Sequence, residues 1–177
     1  DMDNVVPRSV WSSEDAGHTQ AATTELKNLF YGENVFDSPK PVKLLNRIME
    51  ISCSSADDIV LDFFAGSGTT AHAAIARCAS GKPCRFIVVQ LPEPLSNSEF
   101  STISEITKER IRRAGRKIKK ENSAMEGSNH FDIGFRVLKV DTSNMKEVYY
   151  TPDAVSQDLL SDQVDNIRED RTAEDLL

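Results

Sequence analysis

Along the 177-residue chain the spacing of hydrophobic and polar positions changes several times, and each change predicts an element. Residues 1–22 are polar and aperiodic apart from Val10-Trp11, which predicts an irregular start. Leu26, Leu29 and Phe30 then share one side of a short helix over 23–30, broken by Gly32. Phe36-Asp37-Ser38-Pro39-Lys40-Pro41 reads as an extended loop, because residues before proline avoid the helical region. From Pro41 onward Val42, Leu45, Ile48, Met49 and Ser52 mark one face of a second helix, with proline in its first turn. After a polar turn at 54–58, Ile59-Val60-Leu61-Asp62-Phe63-Phe64 is a short apolar run of strand type. An alanine-rich helix over 71–78 follows, ended by Gly81 and Pro83, and 85–91 forms a second strand through Phe86-Ile87-Val88-Val89. A longer helix covers 102–120, where Thr102 and Glu105 have capping-box spacing and Ile103, Ile106, Ile111, Ala114 and Ile118 line one face. Residues 121–129 are a polar linker, and Phe135-Arg136-Val137-Leu138-Lys139-Val140 reads as a further strand.

Continuous apolar strands separated by a helix indicate a parallel sheet covered on both faces. The expected fold class is therefore α/β, a part of a doubly wound, Rossmann-like sheet with helices on both sides. Three segments follow: an irregular stretch with a short helix at 1–36, the sheet-bearing part at 37–150, and an acidic tail at 151–177.

Charge changes this picture only locally. The chain carries 21 basic and 28 acidic residues, a formal net charge of −7, which argues against gripping DNA unaided. Basic residues cluster over 108–120, and the ordinary reading of such a run is the solvated side of an amphipathic helix. Cys53, Cys78 and Cys84 form no CxxC pair and lie at no metal-ligand spacing from a histidine, so free thiols in a reducing cytoplasm are expected and no metal. No apolar run approaches the length of a membrane span, and no signal peptide follows Asp1, which reads as the start of a piece of a longer protein.

Chemistry concentrates in Asp62-Phe63-Phe64-Ala65-Gly66-Ser67-Gly68-Thr69-Thr70, between a predicted strand and a predicted helix. Glycines there let the backbone turn sharply and approach a ligand where a Cβ would collide. Gly66-x-Gly68-x-x-Ala71 satisfies the dinucleotide pattern, and the P-loop pattern is absent because no Gly-Lys-Ser/Thr follows. Asp62 weighs against a pyrophosphate: a carboxylate at the strand end suits an ammonium group and repels a phosphate. A tight turn without any ligand is the remaining alternative.

This string resembles motif I of the DNA N4-cytosine/N6-adenine methyltransferases, and most of all the permuted group in which the cofactor half follows the catalytic half. The upstream loop at 36–41, leading into a helix, is similar to that group's motif X. Pro7-Arg8-Ser9-Val10-Trp11, Thr24-Glu25-Leu26, Val89-Gln90-Leu91-Pro92-Glu93, Lys108-Glu109-Arg110-Ile111-Arg112-Arg113-Ala114 and Gly134-Phe135-Arg136-Val137-Leu138-Lys139 look like the modification subunits of type III restriction-modification systems. The likeness covers roughly residues 5–145 and leaves the tail unexplained.

The resemblance implies S-adenosylmethionine as cofactor. Asp62 would face its methionine end, and Phe63, Phe64, Ala65, Gly66, Ser67 and Gly68 would surround it with turn backbone. Thr69 opens a helix whose free N–H groups receive a carboxylate, and Ser38 and Lys40 would close over the same end. The family places an acidic residue after the second strand to accept from the ribose hydroxyls, whereas this chain has Gln90, with Glu93 nearby as a substitute. His72 is expected to be an ordinary helix residue. The family's Asp/Asn/Ser-Pro-Pro-aromatic motif, which holds the flipped base, does not occur, so no residue here is expected to be catalytic. In the permuted order that motif belongs upstream. The expected whole is a site-specific adenine-N6 methyltransferase that acts on double-stranded DNA, dimerises with itself, joins a restriction (helicase/nuclease) subunit and works in the cytoplasm. A dinucleotide oxidoreductase domain and a non-enzymatic assembly domain are the two competing readings.

Overall fold

The computed structural model describes residues 8–96, 99–123, 131–146 and 167–176. The chain divides into two compact units, Asp1–Gly134 and Phe135–Leu177. The first holds five α-helices and two strands among its described residues: α1 (Ser13–Ala16), α2 (Thr19–Leu29), α3 (Val42–Ser52), β1 (Ile59–Asp62), α4 (Thr69–Ala79), β2 (Arg85–Val88) and α5 (Ile103–Ser123).

Helix α1 falls where an irregular start was expected. Its cause is local: Ser12 and Asp15 form a reciprocal capping box, so the first turn satisfies its own orphan N–H groups. Helix α2 begins before the predicted 23, because His18 Nδ1 accepts from the Ala21 N–H at 3.1 Å and acts as N-cap. Histidine is outside the usual capping set, so its position gave no start signal. The other three helices and both strands lie where the periodicity put them, shifted by a few residues.

Strands β1 and β2 pair in parallel, with Ile59 opposite Arg85 and Asp62 opposite Val88. Their connection is α4, whose Ala71, Ala73 and Ala74 are at most 1% exposed. These short side chains let α3 and α5 approach α4 closely and let α4 lie against β2. One core joins Val42, Met49, Cys53, Ala73 and Ala74 with Val60 and Phe86 from the inner face of the sheet. A second joins Leu26, Leu29 and Phe30 of the α2 end to Ile106 and Ala114 of α5.

Side chains alternate along both strands, and only one face is covered among the described residues. Ile59, Leu61, Ile87 and Val89 on the other face are each more than 40% exposed. Apolar runs without polar interruption predict helices on both sides, and the described residues supply them on one.

The expected strand at 135–140 does not form. Phe135–Val140 belongs to the second unit, with Val137, Leu138 and Val140 exposed. Strand identity requires a partner ladder for the backbone N–H and C=O groups, and none of the described residues pairs with this run. In that unit Met145 and Ile167 make an isolated antiparallel bridge, and Ala173–Leu176 is a turn of 3-10 helix. The linker over 124–129, His130 and the acidic stretch over 151–166 lie outside the described residues.

Candidate functional site

Backbone conformation defines the turn between β1 and α4. Gly66 has φ +53° and Gly68 has φ +82°, both in the left-handed region that side chains disfavour. A Cβ on Gly68 would also sit 3.1 Å from Thr107 Cγ2 and 3.2 Å from the Thr107 carbonyl oxygen. Gly68 is thus required twice, by its dihedral and by the closeness of α5. As the N-cap of α4 it offers no side-chain cap, which leaves the first N–H groups of the helix without an intrahelical partner.

Asp62 ends β1 in the position expected of it. Its Oδ1 accepts from the Phe64 N–H at 3.1 Å and its Oδ2 from the Thr70 hydroxyl at 2.5 Å. The carboxylate is thereby fixed across the turn, half-buried, with lone pairs left for a further donor. Phe63 and Phe64 are 65% and 80% exposed, with ring centroids 5.1 Å apart, so the mouth of the turn presents two aromatic surfaces. Ala65 and Ser67 are buried, and Thr69 is buried at the start of α4.

Gln90 reaches the same turn. Its Oε1 accepts from the Gly66 N–H at 2.7 Å, and its Nε2 donates to the Leu91 carbonyl oxygen at 3.3 Å. The residue singled out as a ribose acceptor therefore braces the glycine turn, with one lone pair of its carbonyl already used. The loop at 36–41 also comes to the turn: Pro39 is fully buried, and the Phe36 ring lies 3.4 Å from where a Gly66 Cβ would stand. Ser38 and Lys40 are exposed on that loop. All eleven residues named from the sequence thus lie on the turn itself or on two segments packed against it.

Sequence reasoning missed the floor of the site. Thr107 Oγ1 donates to the Gly66 carbonyl oxygen at 2.6 Å. Arg110 Nη1 donates to Ser67 Oγ at 2.8 Å and to Thr69 Oγ1 at 2.7 Å, and its Nε lies 3.4 Å from His72 Nδ1. Arg110 is 0% exposed, although the basic run over 108–120 was read as a solvated face. The signal was present in the spacing: Arg110 is four residues from both Ile106 and Ala114, inside the apolar stripe. His72 is likewise buried, and burial followed by the Arg110 and Lys117 charges pushes its pKa down from 6.5 to about 3. It therefore stays neutral and accepts from Arg110. Burial lowers the Arg110 pKa to about 10, opposed by the charge of Glu25, so the guanidinium remains charged at neutral pH.

No group of three or more His, Cys, Asp or Glu side chains among the described residues is gathered closely enough to hold a metal ion. None of their helices is long and apolar enough to cross a membrane.

A turn of this build, entered through an Asp and followed by a helix, fits more than one nucleotide-derived ligand. Comparison with known proteins narrows the choice. The model described as DNA methylase matches residues 2–79, which include the 36–41 loop, β1, the glycine turn and α4. Over that stretch the chain is similar to the DNA methylase family. Among curated members, it is 43% identical over 125 residues to the type III restriction-modification enzyme StyLTI Mod subunit of Salmonella typhimurium. That alignment covers 67% of this chain and 18% of the relative. The EcoPI Mod subunit of Escherichia phage P1 is 39% identical over 139 residues, 75% of this chain and 20% of the relative. The type II methyltransferase M.KpnI of Klebsiella pneumoniae is 39% identical over 113 residues, 59% of this chain and 26% of the relative. The chain thus spans about a fifth of the length of the Mod subunits it matches.

Proposed function

We propose that this chain is the S-adenosylmethionine-binding part of a site-specific DNA adenine-N6 methyltransferase of a type III restriction-modification system. The observation that carries the reading is the convergence on the glycine turn of three segments: Asp62 of β1 bonded to Phe64 and Thr70, Gln90 from after β2 bonded to Gly66, and the Phe36 loop that bears Ser38 and Lys40. When bound, the cofactor supplies an activated methyl group. The chain's own residues hold it. Asp62 accepts from the ammonium group, and the backbone of Phe63, Phe64, Ala65, Gly66, Ser67, Gly68 and Thr69 wraps the amino-acid end. Ser38 and Lys40 cover that end from the exposed loop, and the free lone pair of Gln90 serves the ribose.

Transfer to a base needs a flipped adenine and a polar-Pro-Pro-aromatic motif to hold it, and this sequence contains none. The chain alone is therefore inactive. The parent protein acts on double-stranded DNA in the cytoplasm as a homodimer with a restriction subunit. The uncovered face of the sheet, with Ile59, Leu61, Ile87 and Val89, is where the remainder of the methyltransferase domain packs.

Calorimetric titration of the chain with S-adenosylmethionine and, separately, with NAD tests the reading. Saturable binding of S-adenosylmethionine that is abolished in a Gly66→Asp, Gly68→Asp double variant is the expected result. Equal binding by wild type and double variant, or tighter binding of NAD, overturns it.

A further inference from the structure

Arg110 stands out among the buried groups. It is completely enclosed, charged at neutral pH, and bonded only to the neutral groups Ser67, Thr69 and His72. Its Nη2 has no hydrogen-bond partner, and no carboxylate lies within 4.0 Å of it among the described residues. A charge withdrawn from water with only the more distant Glu25 carboxylate to offset it is costly. Its location adds to that cost, because the guanidinium is tied to Thr69 at the N-terminus of α4, where the helix dipole is already positive. Two like fields therefore add beneath the glycine turn, while Asp62 supplies the opposite sign where β1 enters it.

We infer that Arg110 is a positioning residue that makes the exit side of the turn selective for a carboxylate, completing with Asp62 a cradle for the zwitterionic end of an amino-acid ligand. The inference rests on the proposal that this turn binds S-adenosylmethionine and assigns the recognition of its amino-acid end. Arg110 acts through Ser67 and Thr69, since it has no exposed surface of its own. By donating to both hydroxyls it fixes the segment whose N–H groups face the ligand, and its charge raises the potential there. In a low-dielectric surrounding such a charge acts across a few ångströms with little screening. Thr107, one turn earlier on α5, holds the Gly66 carbonyl and so keeps the two halves of the turn in register.

The test is a cycle of two ligands against Arg110 variants in the full chain. The ligands are S-adenosylhomocysteine and the same thioether amine with its carboxylate replaced by hydrogen. Wild type is expected to bind the carboxylate-bearing ligand at least about tenfold more tightly. Arg110→Met is expected to lose that preference while retaining affinity for the decarboxylated ligand, and Arg110→Lys to keep part of the preference. Where the Met variant is not recovered folded, Arg110→Gln, which can still donate to the two hydroxyls without a charge, takes its place. A purely structural role moves both ligands alike. Two results overturn the inference: equal affinities in wild type, or a preference that survives removal of the charge. Failure of wild type to bind either ligand instead overturns the cofactor reading on which it rests.

Discussion

The Thr107 hydroxyl donates to the carbonyl of Gly66 across 2.6 Å, although 41 residues separate the two. One side chain from the second turn of α5 thus fixes a carbonyl in the glycine turn. Thr107→Val would leave that carbonyl unpartnered beside a methyl group. A loss of about 1–3 kcal/mol in unfolding free energy is expected, with Thr107→Ser close to wild type. Urea denaturation of the three proteins measures this, and a Val variant as stable as the Ser variant would show the bond to be incidental.

Gly68 and Gly81 separate two costs that usually come together. Both have positive φ, +82° and +79°, but a Cβ on Gly81 meets nothing within 4 Å whereas one on Gly68 meets Thr107. Gly81→Ala should cost about 1 kcal/mol from its dihedral alone. Gly68→Ala carries the same term plus the clash, and should lose roughly 2–4 kcal/mol. Similar melting temperatures for the two variants would mean that the turn and α5 can move apart cheaply.

His72 makes stability depend on pH in one direction. Its folded pKa of about 3 lies below the unfolded value of 6.5, so the unfolded chain binds the extra proton in between. The stabilisation is complete above pH 6.5 and is lost as pH falls toward 3. Between pH 7.5 and 5.5 the wild type should lose roughly 1 kcal/mol more than His72→Asn, whose amide oxygen accepts from Arg110 without titrating. Denaturant unfolding at the two pH values decides it; parallel losses in both proteins would remove His72 as the cause.

Gln90 offers a separation of brace from ligand. Gln90→Leu leaves the Gly66 N–H without its acceptor and should weaken S-adenosylmethionine binding about tenfold. Gln90→Glu still accepts from that N–H and adds a charged acceptor for the ribose hydroxyls, so affinity should hold or rise. Titration of both variants at one ionic strength reads the outcome, and a Leu variant with unchanged affinity would make Gln90 dispensable.

What the sequence discloses depends on the range of the force involved. Helices α3, α4 and α5 and both strands follow from spacing, because each element's own pattern decides which side it buries. The glycine turn is legible for the same reason, since it is written in consecutive residues from Asp62 to Thr70. Arg110 is different. In a run with Lys108, Arg112 and Arg113 its composition matches a wetted surface, and only its place between Ile106 and Ala114 shows that it points inward. Thr107 and Gln90 as braces were hidden altogether, because their partners lie on other elements. The run at 135–140 differs in the opposite sense: it is rich in strand-type residues, but no ladder among the described residues receives it.

Nearly every group that shapes the turn falls between Phe36 and Arg110, in one continuous stretch of chain. Such a seat does not depend on which segment comes first in the gene. It can be cut from one end of a coding sequence and joined to the other, or carried whole into a new protein, without separating a brace from what it holds. Locality of this kind keeps each brace beside what it holds, whatever the order of the segments around it.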